Sequence, residues 1–147
     1  MRRFLLLIIL IVSTFQTACA SEPNMDLKVG QVWNIKSDKY TNAKVIIQKI
    51  DLDDLDRPAI HITVTGPFFL KGGKIIPLLA HVPISDEALL SSVTTISEVD
   101  QHYESWFQEG YKTWYDTEEA GVYSISVNEI LKFGFETIND EKNQVVK

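Results

Sequence analysis

The sequence of 147 residues has very little cysteine, since Cys19 is its single thiol and lies in the N-terminal segment. The folded part therefore lacks the means to form a disulfide scaffold, a thiol nucleophile or a cysteine-based zinc or iron–sulfur centre. Its stability must come from an apolar core. A chain of about 125 residues suffices for one, because a domain of that size buries about two thirds of its unfolded surface.

Catalytic motifs are also missing. The sequence contains neither G-x-S-x-G nor H-E-x-x-H, so no spacing of residues indicates a nucleophile elbow or a zinc protease. We therefore expect no catalytic residues, no cofactor and no metal. A non-enzymatic function is favoured over an enzymatic one.

Basic residues are scarce beside acidic ones. Without Arg2 and Arg3 the chain has twelve basic and twenty acidic residues, a formal charge of −8. Nucleic acid and anionic lipid headgroups are poor partners for such a chain, because phosphate binding needs the opposite sign. From Glu98 onward there are eleven acidic residues and four basic ones. A solvated acidic face is the favoured interpretation of this excess, and a surface for a basic partner is the alternative.

One long apolar run is present, and it stands at the N-terminus. Arg2 and Arg3 precede an unbroken apolar stretch from Phe4 to Val12, which polar residues soon follow. A membrane-spanning helix needs about 20 apolar residues, so residues 1–20 are predicted to be an export signal peptide instead. The protein is thus expected in the periplasm or on the membrane as a lipoprotein.

Two processing routes are open at the end of this signal. Ala18-Cys19-Ala20 before Ser21 satisfies the A-x-A rule of ordinary signal peptidase, which releases a free periplasmic domain. The segment Gln16-Thr17-Ala18-Cys19 also resembles a bacterial lipobox, apart from Gln16, where an aliphatic residue is usual. In the second route Cys19 carries the lipid, and this anchor is the only membrane contact that the sequence predicts.

The rest of the chain is predicted to form a 21–27 linker, one domain over 28–138 and a flexible tail at 139–147. Alternating apolar residues predict strands at 29–35, 43–50 and 59–65. Gly66-Pro67 is expected to end the third strand. A hairpin should follow that turns at Gly72-Gly73, with Pro77 at a sheet edge or bulge.

The second half of the chain changes to helical spacing. Ser85 is predicted to cap a helix that continues to Ile96, and Asp100 to cap a longer helix that ends near Glu119. Residues 122–127 alternate as in a short strand. Ser126-x-x-Glu129 matches a capping box and predicts a third helix.

These elements predict an α+β fold, with a curved antiparallel sheet of four to six strands and about three helices packed on one face.

The chain also contains, in order, V-G-Q-V-W at 29–33, H-V-P-I-S-D-E-A-L at 81–89 and A-G-V-Y-S-I-S-V at 120–127. This ordered set resembles a family of small exported bacterial proteins for which no activity is established. The resemblance spans nearly all of the mature chain and implies no reaction.

Two groups of polar residues are candidate metal sites by residue type alone. His61, His81 and His102 supply enough imidazole for zinc, but their spacings match no zinc signature, so structural histidines are favoured. The aspartates from Asp51 to Asp56 have the carboxylate density of a calcium loop. An EF-hand is excluded because the sixth position is not glycine and the twelfth is not glutamate, and a solvated acidic turn is favoured.

Aromatic residues concentrate on the second predicted helix. Tyr103, Trp106, Phe107, Gly110, Tyr111, Trp114 and Tyr115 cover an arc of roughly 180°, wider than the stripe of about 100° that one packing face needs. The favoured interpretation is packing against both the sheet and the third helix. The alternative is an exposed aromatic patch, in which Trp106 and Tyr115 at the margins are the candidate partner-binding residues. Gly110, near the centre, is predicted to lie against another backbone or ring.

Two classes of function stay open. The first is an exported cell-envelope protein that binds another protein without catalysis; a periplasmic immunity protein of the antitoxin kind is one specific version, suggested by small size, export and acidity. The second is a small secreted hydrolase or ligand carrier whose site uses His61. The lack of catalytic motifs favours the first class, and a cavity shared by His61 and His81 is the observation that favours the second.

Overall fold

The computed structural model of the protein describes residues 26–53, 56–99 and 105–144. Five strands form one open sheet in the order β4-β3-β2-β1-β5, and every neighbouring pair is antiparallel. The strands are β1 (Gln31–Ile35), β2 (Lys44–Leu52), β3 (Pro58–Phe69), β4 (Ile75–Ser85) and β5 (Val93–Val99), and the helices are α1 (Asp86–Ser92), α2 (Ser105–Tyr115) and α3 (Val127–Gln144). The predicted signal peptide, Cys19, His102 and Tyr103 lie outside the described residues.

One face of the sheet carries the main apolar core. Alternate residues of the central strand β3, namely Ile60, Ile62 and Val64, are fully buried there. Helices α1 and α3 cover them with apolar side chains that include Leu89, Leu131 and Phe135. Trp33 of β1, 3% exposed, belongs to the same core, as its alternation with polar neighbours predicts.

The opposite face is covered by α2. His61 and Thr63 of β3 point away from the main core because side chains alternate along a strand, yet both are buried. Phe107 of α2 is buried against His81 of β4 on this face. The α+β class and the curved antiparallel sheet are therefore confirmed, whereas the helices are divided between two faces instead of sharing one.

The expected helix from Ser85 to Ile96 is shorter than predicted. Ser85 is its N-cap, and its hydroxyl accepts a hydrogen bond from the amide of Ala88. The helix ends at Ser92, and the following Val-Thr-Thr-Ile run forms the edge strand β5 instead. These β-branched residues favour strands, and the register places Ile96 opposite Trp33 of β1.

Two further predictions about strands are wrong. Residues 122–127 form no strand; Tyr123 makes an isolated bridge to β4, with backbone hydrogen bonds to Pro83 and Ser85. Gly66-Pro67 does not end β3, which continues to Phe69. A register shift between Thr65 and Phe68 accommodates the proline, which cannot donate to the ladder.

The hairpin and the last helix follow the sequence more closely. β3 and β4 form the predicted hairpin around a 3₁₀ turn at Lys71–Gly73, and Pro77 lies on the edge strand β4. The capping box is formed, since Ser126 and Glu129 exchange hydrogen bonds at the start of α3. Within the part of the chain described, none of the helices has the length and apolar character needed to cross a membrane.

Candidate functional site

The buried face under α2 contains a pair of histidines. His61 of β3 and His81 of β4 occupy diagonal positions of the hairpin, because the register pairs His61 with Pro83. Nδ1 of His61 lies 2.9 Å from Nε2 of His81, with the rings nearly parallel. One nitrogen donates and the other accepts, so a single proton lies between these two atoms.

Aromatic rings from α2 enclose this pair. Trp114 and Tyr111 place their rings edge-on to His61, with centroids 4.5 and 5.0 Å away, and Phe107 contacts His81. None of the surface of His61 is exposed. Burial, with the neighbouring His81, lowers the pKa of His61 from 6.5 to about 4, and burial also lowers the pKa of His81. Both imidazoles are therefore neutral at pH 7.

Gly110 lets α2 approach His81. A Cβ atom at this position would stand 2.6 Å from Cβ of His81, which is closer than atoms can pack. The predicted close approach of a ring to Gly110 is thus present, and the ring is that of a histidine. Any larger residue at position 110 would push α2 away from the sheet.

An ion cluster closes the other side of the pair. Lys49 and Asp51 of β2 form a salt bridge, and the hydroxyl of Tyr111 donates to Oδ2 of Asp51 at 2.7 Å. Burial opposes both charges, but the hydrogen bonds among the three groups outweigh it, so the pKa of Lys49 is raised and that of Asp51 is lowered. Burial raises the pKa of Tyr111. The phenol therefore stays protonated and is not activated as a base or nucleophile.

Asp51 also selects the tautomer of the histidine pair. Its Oδ2 lies 3.4 Å from Nε2 of His61, close enough for attraction, although this nitrogen makes no aligned hydrogen bond. A carboxylate at that distance favours a proton on Nε2 of His61. Nδ1 of His61 then accepts, and Nε2 of His81 donates.

The histidine pair is arranged for packing between α2 and the sheet and not for contact with a substrate. His61 is fully buried, so a substrate cannot reach it while α2 is in place. His81 borders two clefts of about 510 and 390 Å³, but His61 lines neither of them. The two imidazole nitrogens that face each other are occupied by their shared proton. Across residues 26–53, 56–99 and 105–144, no group of three acidic, histidine or cysteine side chains is arranged to hold a metal ion.

An open groove lies beside this cluster, between the end of β2 and the turn after α2. It has a volume of about 850 Å³. Its lining combines two rings, those of Trp114 and Tyr115, with acidic residues and the apolar side chain of Leu52. Trp114 and Asp51 belong to both the groove and the buried cluster. The contacts of the buried cluster therefore fix the positions of two side chains in the groove lining.

The groove is negatively charged. Its acidic lining residues are Asp51, Asp53, Glu118 and Glu119, and its basic one is Arg57, which forms a salt bridge with Asp53. Among the residues that the structure describes, no cation pairs with Glu118 or Glu119. Glu119 has a φ of 58°, in the left-handed region that favours glycine. Glu119 therefore adopts a backbone conformation that costs free energy for a residue with a side chain, and it lies in the groove lining.

The predicted site residues fall in different places. Tyr115 is 71% exposed and lines the groove, whereas Trp106 is only partly exposed and is not part of the groove lining. The acidic segment from Asp51 to Asp56, for which a solvated turn is favoured over a calcium site, uses two of its carboxylates in ion pairs: Asp51 binds Lys49 and Asp53 binds Arg57. The proximity of His61 to His81 was not predicted. Its signal was available in the hairpin, whose turn and alternation place both histidines on one face.

Comparison of the chain with family models, with characterised proteins and with solved structures finds no match.

Proposed function

We propose that the protein is an exported, non-catalytic binding module of the cell envelope, and that the groove beside α2 binds a basic segment of a partner protein. One observation carries the proposal. The groove combines the exposed ring of Tyr115 with the carboxylates of Glu118 and Glu119, which no described cation neutralises. Lysine and arginine side chains complement both features, because they pair with carboxylates and pack on aromatic faces.

The groove is suited to a peptide segment of a larger partner. Its volume of about 850 Å³ is open along one side, and its rings stand on a helix fixed to the sheet by the buried cluster. Rigid aromatic anchors at the centre of a contact, with polar residues around them, are typical of binding hot spots. Exposed tyrosine supplies such an anchor at a low cost in side-chain entropy.

A periplasmic immunity protein is one specific version of this function. Such a protein neutralises its target by covering it, so it needs a stable fold and a complementary charged surface but no catalytic group. The acidic second half of the chain and the acidic groove, which it forms together with residues 51–57, are consistent with a basic target.

The enzymatic alternative has less support. It requires His61 to contact a substrate, and His61 is fully buried behind Trp114. It also requires an activated group, whereas Tyr111 is held protonated and Asp51 is neutralised by Lys49. The polar cluster therefore supports the position of α2.

Binding of a fluorescent octalysine peptide, measured by anisotropy at low and physiological salt, tests the proposal. We expect Tyr115→Ala, which leaves the charge unchanged, to weaken binding by about 2 kcal/mol, roughly thirtyfold. Glu118→Gln and Glu119→Gln should weaken it mainly at low salt, because screening reduces exposed charge interactions. Octaglutamate is the control peptide and should not bind.

Glu109→Gln is the matched control variant. Glu109 is an exposed carboxylate on α2 outside the groove lining, so its removal lowers the charge equally without changing the groove. If Glu109→Gln weakens binding as much as Glu118→Gln does, the attraction belongs to the net charge and the groove is not the site. Equal binding of wild type and Tyr115→Ala likewise contradicts the proposal.

A further inference from the structure

The tip of the β3–β4 hairpin exposes two large apolar side chains. Phe69 is 76% exposed and Ile75 is 54% exposed, and the two residues are directly paired across the strands. Direct partners in a sheet point to the same face, so they form one apolar pair. The preceding Phe68 is buried in the main core and fixes the end of the hairpin.

Basic residues occupy the turn beyond this pair. Lys71 and Lys74 are both exposed, and they flank Gly72 and Gly73. Both glycines have positive φ values, and a Cβ added to either would meet no atom within 4 Å. The turn therefore lies at the surface of the described structure, where residues 71–75 are all exposed.

The charge around the tip differs from that of the whole chain. Residues 57–85 contain no aspartate or glutamate, although the chain has twenty acidic residues. Their charged side chains are Arg57, Lys71 and Lys74, and the two lysines are at the turn. The hairpin is thus a basic, apolar projection on an acidic protein.

We propose that this hairpin tip docks on an anionic phospholipid bilayer, with Phe69 and Ile75 inserted between headgroups and Lys71 and Lys74 at the phosphates. The apolar pair and the two lysines each match a different part of such a bilayer. Aromatic and aliphatic side chains partition into the interfacial region, and lysines near an anionic surface are attracted to it. A basic partner, as proposed for the groove, is not compatible with these lysines.

The acidic groove does not oppose this contact, because it lies at the other end of β3. Arg57, which precedes β3, lines the groove, and Phe69 ends the strand twelve residues later. At about 3.3 Å per residue the two ends are roughly 35 Å apart. Charges separated by several Debye lengths of about 8 Å are largely screened from each other at physiological salt.

The docked tip adds a contact that the sequence alone does not predict. The excess of acidic residues, a formal charge of −8 without Arg2 and Arg3, argues against anionic lipids for the molecule as a whole, but the tip presents only cations to the surface. The contact is independent of the route by which the signal is processed. With an acyl group on Cys19 it becomes a second attachment, and without one it is a weak, reversible attachment.

Co-sedimentation with lipid vesicles tests the tip. The probe is the non-acylated chain beginning at Ser21, which contains every residue of the described structure, with vesicles of phosphatidylglycerol and phosphatidylethanolamine. We expect binding to these vesicles to exceed binding to phosphatidylcholine vesicles at least tenfold. Phe69→Ser with Ile75→Ser, and separately Lys71→Gln with Lys74→Gln, should each reduce the bound fraction at least fivefold.

Ile96→Ser is the matched control, because Ile96 is 47% exposed and lies on β5, at the opposite edge of the sheet from β4 and outside the groove lining. It should bind vesicles as the wild type does, and thermal melts should show that all variants stay folded. No preference for anionic vesicles, or an equal loss with Ile96→Ser, overturns the proposal. The proposal is also overturned if a soluble envelope protein binds the wild type through Phe69 and vesicles do not bind it, because the tip is then a protein-binding surface.

Discussion

At Gly110 the helix α2 leaves no room for a side chain, since a Cβ atom would lie 2.6 Å from Cβ of His81. Alanine normally stabilises a helix interior by about 1 kcal/mol relative to glycine. We expect the opposite sign here: Gly110→Ala should lower the free energy of unfolding by about 1 to 3 kcal/mol, the scale of overpacking. Urea unfolding monitored by tryptophan fluorescence measures the change.

Gly134 of α3 provides the control for this prediction. A Cβ atom at Gly134 meets nothing within 4 Å, so Gly134→Ala should gain the normal helix preference and raise stability by up to about 1 kcal/mol. Opposite signs for the two substitutions identify the contact with His81 as the cause. Stabilisation by both would show that α2 moves away from His81 at little cost.

Only part of the contact at Gly110 could be predicted from the sequence. The arc of aromatic residues was enough to predict a close neighbour for Gly110, because glycine is costly in a helix interior. It was not enough to identify His81, since that required the helix to lie on the opposite face from α1 and α3. The partners of Asp51 were missed for the same reason: Tyr111 is sixty residues away in the sequence and meets Asp51 only through this packing.

Among the elements, α3 begins at the best-defined local signal of the chain. The Ser126 hydroxyl accepts from the amide of Glu129, while the Glu129 carboxylate accepts from the amide and hydroxyl of Ser126. Ser126→Ala removes the capping hydroxyl and should lower the free energy of unfolding by about 1 kcal/mol. Ser124→Ala, at an exposed residue outside the helix, is the control and should have no measurable effect in chemical denaturation. A loss of equal size in both variants would contradict a capping role.

Local signals of this kind were reliable, and signals that depend on neighbours were not. The Ser85 cap, the capping box and the Gly72-Gly73 turn are local, and all three are present. The start of β5 at Val93 was missed because the helical period of the preceding residues continues into it, and only pairing with β1 decides the structure. Residues 122–127 alternate as a strand does, but the sheet offers them only an isolated bridge at Tyr123.

For the molecule as a whole, the neutral histidine pair makes stability depend on pH. Burial and the proximity of His81 and Lys49 lower the pKa of His61 to about 4, and the opposing attraction of Asp51 is too small to restore it. Between pH 6.5 and pH 4 the unfolded chain therefore binds more protons than the folded one. Stability should fall as the pH decreases through this range, by up to about 3 kcal/mol for a shift of that size.

Urea unfolding at pH 7.5, 6.5, 5.5 and 5.0 measures this dependence in a range where most carboxylates stay ionised. His61→Gln removes the titrating group, so its free energy of unfolding should change less across the series, whatever its value at pH 7.5. A wild-type stability that is flat or rises as the pH falls contradicts the assignment. The same slope in wild type and His61→Gln would assign the dependence to other groups.

The contact between Gly110 and His81 also restricts how α2 can move. Gly110 is the only glycine of the helix, so a slide by one turn in either direction would bring Trp106 or Trp114 towards the place that now admits only a hydrogen atom. Rotation about the helix axis meets the same obstacle. Helix α2 can therefore pack on the sheet in only one register, and it leaves that position only by moving away from the sheet. Because Tyr115 lies at the end of this helix, the groove has all of its lining residues only while α2 is packed on the sheet.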